Sequence, residues 1–569
     1  MSTAISILGG VGLFLLGMTV MTGGLKTLAG SALRTVLGKA AANPLRGALW
    51  GAVITLLVQS SSATTMTTIG LVSAGLLTFQ QGLGLVFGAN VGTTGTGWLV
   101  ALIGVRVSLT AAALPMIFVG ALAMLLGRGR VSGAGAALAG FGLVLFGLTT
   151  LQQGMGGLAE RVHPADLPAV FASPGSGWWS GLLGVLALAL VGLVMTAVMQ
   201  SSTAAIAVTL SAYYAGAVGL DQGCALIIGQ NVGTATSSAL AAIGASSTAK
   251  RLALAYVLFK LIAALIALVV FPVVTPLLVR ASSTIDGVSL LAAYHTAFNV
   301  VGVLVLLPLI DKFTRLVERI LPERGSPLTR CLDPAALASP IVAVEAVRRT
   351  VARSLGALCR SLDATLAAAS HGENLRPEKQ TASESAEALR QAQVFISDVD
   401  GPPESEDEQR RLTSTLHSLD HASRLAETAG EEVEFRTVTS GPEDARAAHL
   451  CADAMRNAAS IADEVAASPA ARDHPVPIIA RRDSPGSSDP DATVGEAGTS
   501  TEDALARLEQ SAKALGELQR AHRVGTLSAV ANGALTASEA IVRVDTVRRL
   551  EAFAYHAWRS AAQLVGRAA

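Results

Sequence analysis

Up to about residue 310 the chain is a succession of apolar runs with few charges, and from Asp311 onward apolar residues recur at helical spacing among charged ones. The first pattern predicts helices that cross a membrane, the second a soluble helical bundle. The apolar runs fall at 4–25, 47–58, 63–77, 82–104 and 109–127, then restart at 131 and continue at 178–218, 222–244, 252–279 and 288–310. At ~1.5 Å per residue the arms 47–58 and 63–77 reach only about 18–22 Å, short of a ~30 Å hydrocarbon core. They meet at Gln59-Ser60-Ser61-Ser62, so they predict a re-entrant hairpin with a polar tip near mid-membrane. In the polar half, helices are expected at 341–369, 384–399, 409–430 and 444–467, with two more inside 501–565. A Pro, Ser, Gly and Asp-rich insert at 469–500 reads as disordered.

The apolar half repeats itself. Gln59-Ser60-Ser61-Ser62-Ala63-Thr64 returns as Gln200-Ser201-Ser202-Thr203-Ala204-Ala205, and the same register carries Gly88-Ala89-Asn90-Val91-Gly92-Thr93 onto Gly229-Gln230-Asn231-Val232-Gly233-Thr234. Earlier in each copy, Gly10-Val11-Gly12-Leu13 with Gly17 matches Gly140-Phe141-Gly142-Leu143 with Gly147. A hairpin returns to its own side, which leaves three crossings between the starts of the copies, and an odd number inverts the second against the first. Charge agrees. If Lys26, Arg34, Lys39 and Arg46 are cytoplasmic, so are Arg128, Arg130, Lys250 and Arg251, while the outer loops hold Arg106, the near-neutral stretch around Glu160, Arg161, His163 and Asp166, and Arg280 with Asp286. The expected topology has the N-terminus outside and the polar half in the cytoplasm.

The expected fold is therefore all-α: a polytopic membrane protein of two inverted repeats, each with a re-entrant helical hairpin, followed by a cytoplasmic antiparallel helical bundle. The boundaries are 1–320 for the membrane domain (repeats 1–127 and 131–279, final helix 288–310), 321–339 for a linker and 340–569 for the bundle. Of the 569 residues 51% are hydrophobic and 15% charged, and equal numbers of acidic and basic side chains leave no net charge to attract nucleic acid. Cys224, Cys331, Cys359 and Cys451 have no paired spacing, so they suggest neither a metal nor a disulfide framework. The start lacks a basic segment and a small-residue cleavage site, so the first apolar run reads as a membrane helix. No Ser/His/Asp set, Cys/His pair, HExxH or nucleotide loop appears, which argues against an enzyme and against ATP coupling.

Inverted repeats with broken helices and polar tips near the midplane are the plan of secondary transporters. A half-helix that starts inside the membrane aims free N–H groups at an anion, while hydroxyls and half-helix C-termini offer oxygens to a cation. The competing reading is that small and hydroxyl residues are packing glue between helices. For the scattered glycines, Ser73 and Ser211 packing is preferred; for the paired Gln-Ser-Ser tips and Asn-Val-Gly-Thr segments, binding.

These motifs, with His295-Thr296-Ala297-Phe298-Asn299, resemble the sodium-dependent phosphate cotransporter family over essentially the whole apolar half. The resemblance implies Na+-coupled uptake of inorganic phosphate across the plasma membrane. It places phosphate at Gln59, Ser60, Ser61, Gln200, Ser201 and Ser202, and Na+ at Ser62, Thr64, Asn90, Thr93, Thr203, Asn231 and Thr234. No cofactor is implied beyond Na+ as coupling ion. The expected partners are phosphate, Na+ and membrane lipid, with a homodimer and a regulatory partner of the cytoplasmic domain left open. Tyr256 and Lys260 depart from the family pattern. Lys260 lies nine residues past Arg251, about 13 Å along a helix, and snorkelling to the cytoplasmic surface is preferred over pairing with phosphate or replacing a Na+. The bundle resembles a PhoU-like domain in two halves around 411–427 and 544–559, with Asp420, His421 and Glu427 expected on a solvated face rather than at a metal. Two further readings stay open: the same scaffold carrying another small anion, and a membrane sensor signalling through the bundle.

Overall fold

The computed structural model describes residues 2–40, 43–103, 110–171, 177–243, 246–322, 326–337, 339–370, 379–399, 405–431, 435–467 and 497–567. They form α-helices, two short 3-10 turns and connections, with no strand among them. The chain divides into two compact units, Met1–Val72 with Leu77–Glu323, and Ser73–Leu76 with Arg324–Ala569.

The first unit comprises α1 (Ser2–Ala40), α2 (Pro44–Val58), α3 (Ser61–Ser73), α4 (Phe79–Thr93), α5 (Gly95–Ile103) and α6 (Thr110–Leu126), then α7 (Arg130–Ala159), α8 (Trp178–Met199), α9 (Ser202–Tyr214), α10 (Leu220–Gly233), α11 (Ala235–Ala241) and α12 (Ser247–Ala281), and it closes with α13 (Gly287–Leu306) and α14 (Ile310–Ile320). Local signals set the starts. Asn43 caps α2 by accepting from the Arg46 N–H, with Pro44 in the first turn. Thr78 and Gln81 close a capping box on α4, and Ser201 caps α9. Among the described residues, six helical stretches are long and apolar enough to cross a membrane: Thr3–Ala29, Phe79–Leu102, Arg130–Ala159, Trp178–Met199, Ser247–Ala281 and Gly287–Leu306. The two hairpins differ in reach. The 15 residues of α2 cover about 22 Å and the 22 residues of α8 about 33 Å, so α8 is long enough for a full crossing where a short arm is expected.

Glycine sets the packing. A Cβ on Gly10 would lie 2.5 Å from the backbone of Leu151, on Gly17 2.5 Å from Val144, and on Gly24 2.4 Å from Ala137. The contact descends along α7 as it rises along α1, so the helices run antiparallel, and Gly140 and Gly147 return the contact to Met21 and Phe14. Glycines seven residues apart stay on one face, and without side chains the two backbones meet. A second glycine seam binds α2 to α4, with Gly84, Gly88 and Gly92 against the carbonyls of Pro44, Ala48 and Ala52. It recurs between α8 and α10, where Gly229 and Gly233 meet the carbonyls of Ala189 and Leu193. Successive contacts advance together along both partners, so each pair runs parallel.

The second unit contains α15 (Pro334–Leu337), α16 (Pro340–Ser370), α17 (Lys379–Ser397), α18 (Glu406–Gly430), α19 (Pro442–Ala467), α20 (Ala497–Ala531) and α21 (Ala537–Leu564). Leu355 and Leu362 of α16, Leu425 of α18, Met455 and Ile461 of α19, Leu508 and Leu515 of α20 and Phe553 of α21 are buried in its core. Between α18 and α21, Ser418 Oγ donates to the Ser560 carbonyl at 2.9 Å and Ser560 Oγ returns the bond to Ser418 at 3.0 Å. Buried Asp444 pairs with His522 and Arg543. Ser73, expected to be a packing residue, has a specific partner: its Oγ donates to the Asp333 carboxylate at 2.8 Å. Most of the insert expected at 469–500 lies outside the described residues, but its last four positions belong to α20.

The glycine seam yields a stability prediction. Gly17→Val puts side-chain atoms onto the Val144 backbone, and overpacking of this kind costs about 1–3 kcal/mol or more. A lower thermal unfolding midpoint is expected for the detergent-solubilised protein. Gly12→Ala, whose Cβ meets nothing within 4 Å, should leave the midpoint unchanged.

Candidate functional site

Each hairpin turns on its glutamine. Gln59 (φ 56°) and Gln200 (φ 52°) are the only non-glycine residues with left-handed backbone among those described. The conformation costs an L-residue roughly 1–2 kcal/mol and is the usual post of glycine at a helix end. A side chain kept there in both repeats has a use that offsets the cost. Part of that use is capping: Gln59 Nε2 donates to the Leu56 carbonyl and Gln200 Nε2 to the Ala197 carbonyl. After each turn a serine starts the next helix, with Ser60 Oγ accepting from the Ala63 N–H and Ser201 Oγ from the Ala204 N–H, both at 3.2 Å. The first amides of α3 and α9 therefore face the tips.

The parallel seam brings α4 level with the first tip. α4 breaks at Thr94 and α10 at Thr234, each with φ −66° and ψ −19°. Across the first break, Thr96 Oγ1 donates to Gln59 Oε1 at 2.5 Å. Helix α13 reaches the same break: Thr296 Oγ1 donates to Thr94 Oγ1 at 3.0 Å and accepts from Trp98 Nε1 at 2.9 Å. The two repeats meet at Tyr256 of α12, which lies beside the side chains of Ser61 in the first tip and Thr234 at the second break. One turn on, Lys260 Nζ donates to Asn231 Oδ1 at 2.7 Å and lies 5.3 Å from the centre of the Tyr256 ring.

The thirteen candidate residues thus fall into groups. Gln59 accepts from Thr96 and Asn231 from Lys260, while Ser61 and Thr234 lie beside Tyr256. Ser60 and Ser201 are caps. Thr64 is buried and accepts from Thr55 Oγ1 at 2.9 Å inside its hairpin, while Thr93 donates to the Ala89 carbonyl. Asn90 is buried with its Oδ1 unpaired. Ser62 and Gln200 are exposed, Ser202 is buried, and Thr203 is half-buried. Lys260 corrects an expectation: at 2% exposure it does not snorkel. Its chain lies along α12 among apolar helices, and Asn231 gives the ammonium an acceptor at depth. The sequence reading missed Thr96 and Thr55. Their signal was the threonines around each break, which an apolar helix has no reason to collect.

The repeats are not equivalent in detail. Thr55 bonds Thr64, but the matching pair is Thr196 and Ala205, and Thr196 Oγ1 is buried without a partner. Gln230, where the first repeat has Ala89, donates to the Ala205 carbonyl and to Thr209 Oγ1 at 3.0 and 2.7 Å.

Comparison with known proteins meets the same residues. The sequence pattern of the Na+/Pi-cotransporter family matches residues 13–153 and 184–290, which include both tips and both breaks. The uncharacterized protein YqeW of Bacillus subtilis is 30% identical over 311 residues, 55% of this chain and 96% of that protein. The chain belongs to the Na+/Pi-cotransporter family. YjbB of Escherichia coli, whose name marks it as a candidate inorganic phosphate export protein, is 28% identical over 451 residues, 77% of this chain and 79% of YjbB. Sodium-dependent phosphate transport protein 2B of Homo sapiens is 45% identical over 60 residues, 10% of this chain and 9% of that protein. No solved structure matches. Membership in a family of membrane transporters places the chain outside the enzymes.

In this family member no group of three or more His, Cys, Asp or Glu side chains suited to a metal occurs among the described residues. Asp420 pairs with Arg424 on an exposed face of α18, as expected of a solvated surface. His421 is only half-buried, yet its Nδ1 lies 3.1 Å from His556 Nδ1 of α21. Burial, followed by the neighbouring His556 and Arg559, pushes His421 down to about 4, and burial lowers His556 as well. On acidification the unfolded chain therefore takes up protons first. The contribution of the neutral pair is complete above about pH 6.5 and is lost as pH falls toward 4. The denaturant midpoint of the second unit should be lower at pH 5 than at pH 7.5, and His421→Gln should narrow that difference.

Proposed function

We propose that the protein is a secondary carrier coupling Na+ entry to uptake of inorganic phosphate, with the anion bound between the two Gln-Ser-Ser tips. The observation that carries the reading is the pair of left-handed glutamines, each followed by a serine-capped half-helix. First-turn amides and the hydroxyls of Ser61, Ser62, Ser202 and Thr203 can donate to a tetrahedral oxyanion without a buried arginine. Carboxamide and hydroxyl oxygens of Asn90, Thr93, Asn231 and Thr234 suit a hard cation, which takes oxygen ligands. Tyr256 supports the reading because it lies beside polar residues of both repeats. The antiparallel crossing of α1 and α7, whose sequences match, supports repeats of opposite orientation. The second unit is taken as a cytoplasmic, PhoU-like regulatory domain.

The name of the Escherichia coli relative favours a second reading, in which the same path carries phosphate outward. Radiolabelled phosphate flux in right-side-out and inside-out vesicles, with a Na+ gradient imposed in either direction, separates the two. Accumulation only with the inward gradient in right-side-out vesicles is expected. Gradient-independent efflux would overturn uptake, and no flux in any arrangement would overturn the carrier.

Orientation is checked by an impermeant thiol reagent on intact cells. Ser173→Cys should be labelled and Ser326→Cys should not.

The tips are tested by a substitution that a structural role would tolerate. Gln59→Gly places at the left-handed position the residue that adopts it most readily, so the fold should persist. Loss of the carboxamide removes a hydrogen-bonding partner of a charged ligand, worth ~1–3 kcal/mol. Uptake at fixed surface abundance should fall about tenfold or more for Gln59→Gly and Gln200→Gly alike. Normal uptake in both would reduce the glutamines to helix caps.

A further inference from the structure

Lys260 is the only Lys, Arg, Asp or Glu buried in the first unit among the described residues. Its nitrogen is held by Asn231 Oδ1 at 2.7 Å and faces the Tyr256 ring, and no carboxylate pairs with it among the described residues. A charge buried in apolar surroundings without a counter-ion is costly and is kept for function. The other repeat supplies the comparison. Asn90 matches Asn231 in register, is 1% exposed, and donates through its nitrogen to the Val86 carbonyl at 2.9 Å. Its Oδ1 has no partner. Two equivalent carboxamide oxygens are thus differently filled, one by an ammonium and one by nothing in the protein. The same α12 separates them, since Phe259 stacks on Phe87 of α4 with ring centres 4.9 Å apart while the adjacent Lys260 reaches α10.

From this asymmetry we infer that Lys260 is a tethered cation, occupying at Asn231 the position that an alkali ion takes at Asn90 in the other repeat. The inference rests on the phosphate-carrier reading and deepens it. A carboxamide oxygen serves an ammonium donor and a hard cation with the same lone pairs. The free ion is then coupled through the Asn90 half alone. The fixed ammonium supplies positive charge toward the anion at the tips, from over the ring of Tyr256, which lies beside Ser61, without itself being transported.

The test compares labelled Na+ and phosphate fluxes in proteoliposomes of the full chain. Lys260→Ala opens the second half to a free ion, so the Na+ to phosphate ratio should rise by about one and the Na+ activation curve should steepen. An unchanged ratio overturns the inference, and if phosphate affinity alone falls, Lys260 is a direct anion partner instead. A binding readout covers the case in which Lys260→Ala does not fold. The rise in melting temperature on adding NaCl, with choline chloride as control, should be lost in Asn90→Ala and kept in Asn231→Ala, and any other pattern overturns the assignment. Absence of phosphate flux in the unsubstituted protein would count against the carrier reading, while the melting pattern would still decide the role of Lys260.

Discussion

A helix that ends inside hydrocarbon leaves carbonyls unpaired behind it and amides unpaired ahead, and no water is there to satisfy them. The first unit meets that demand four times, at the two hairpin tips and the two helix breaks. At each tip a glutamine folds back onto a carbonyl near the helix end and a serine takes the amide of the third residue of the next helix. At each break a threonine hydroxyl turns back on its own helix, Thr94 to the Val91 carbonyl and Thr234 to the Asn231 carbonyl. Among the buried side-chain atoms left unpaired after this local accounting are carboxamide atoms of Asn90, Asn231 and Gln230, beside or within the two breaking helices.

The close glycine seams make that economy possible. Because α4 lies directly on α2, the break at Thr94 arrives beside Gln59, and Thr96 can answer its carboxamide. In the second repeat the same seam holds α10 on α8, but Gln230 and Ala205 change what the polar atoms touch. Backbone symmetry thus carries unequal polar side chains in its two halves.

Much of this was legible in the sequence. The duplication, the hairpins, the breaks and the six long helices α16–α21 of the second unit follow from spacing alone, because a polar motif inside an apolar run has few other uses. The hydroxyl partners were less legible, since Thr55, Thr96 and Tyr256 matter through contacts between segments far apart in the chain. Lys260 was misjudged for the same reason. Distance along a helix suggests a route to the surface, whereas burial depends on Asn231, a residue on another helix.

The crossing of α1 with α7 has an implication for how such a chain arose. The face that α1 presents, glycine at every seventh position, is the face that α7 presents in reverse. A surface that fits an antiparallel copy of itself is isologous, the condition for a two-fold dimer. A half-length ancestor inserted in both orientations could have closed on its own copy through this contact before the halves were fused, and only fusion would have allowed one copy to acquire a lysine the other lacks.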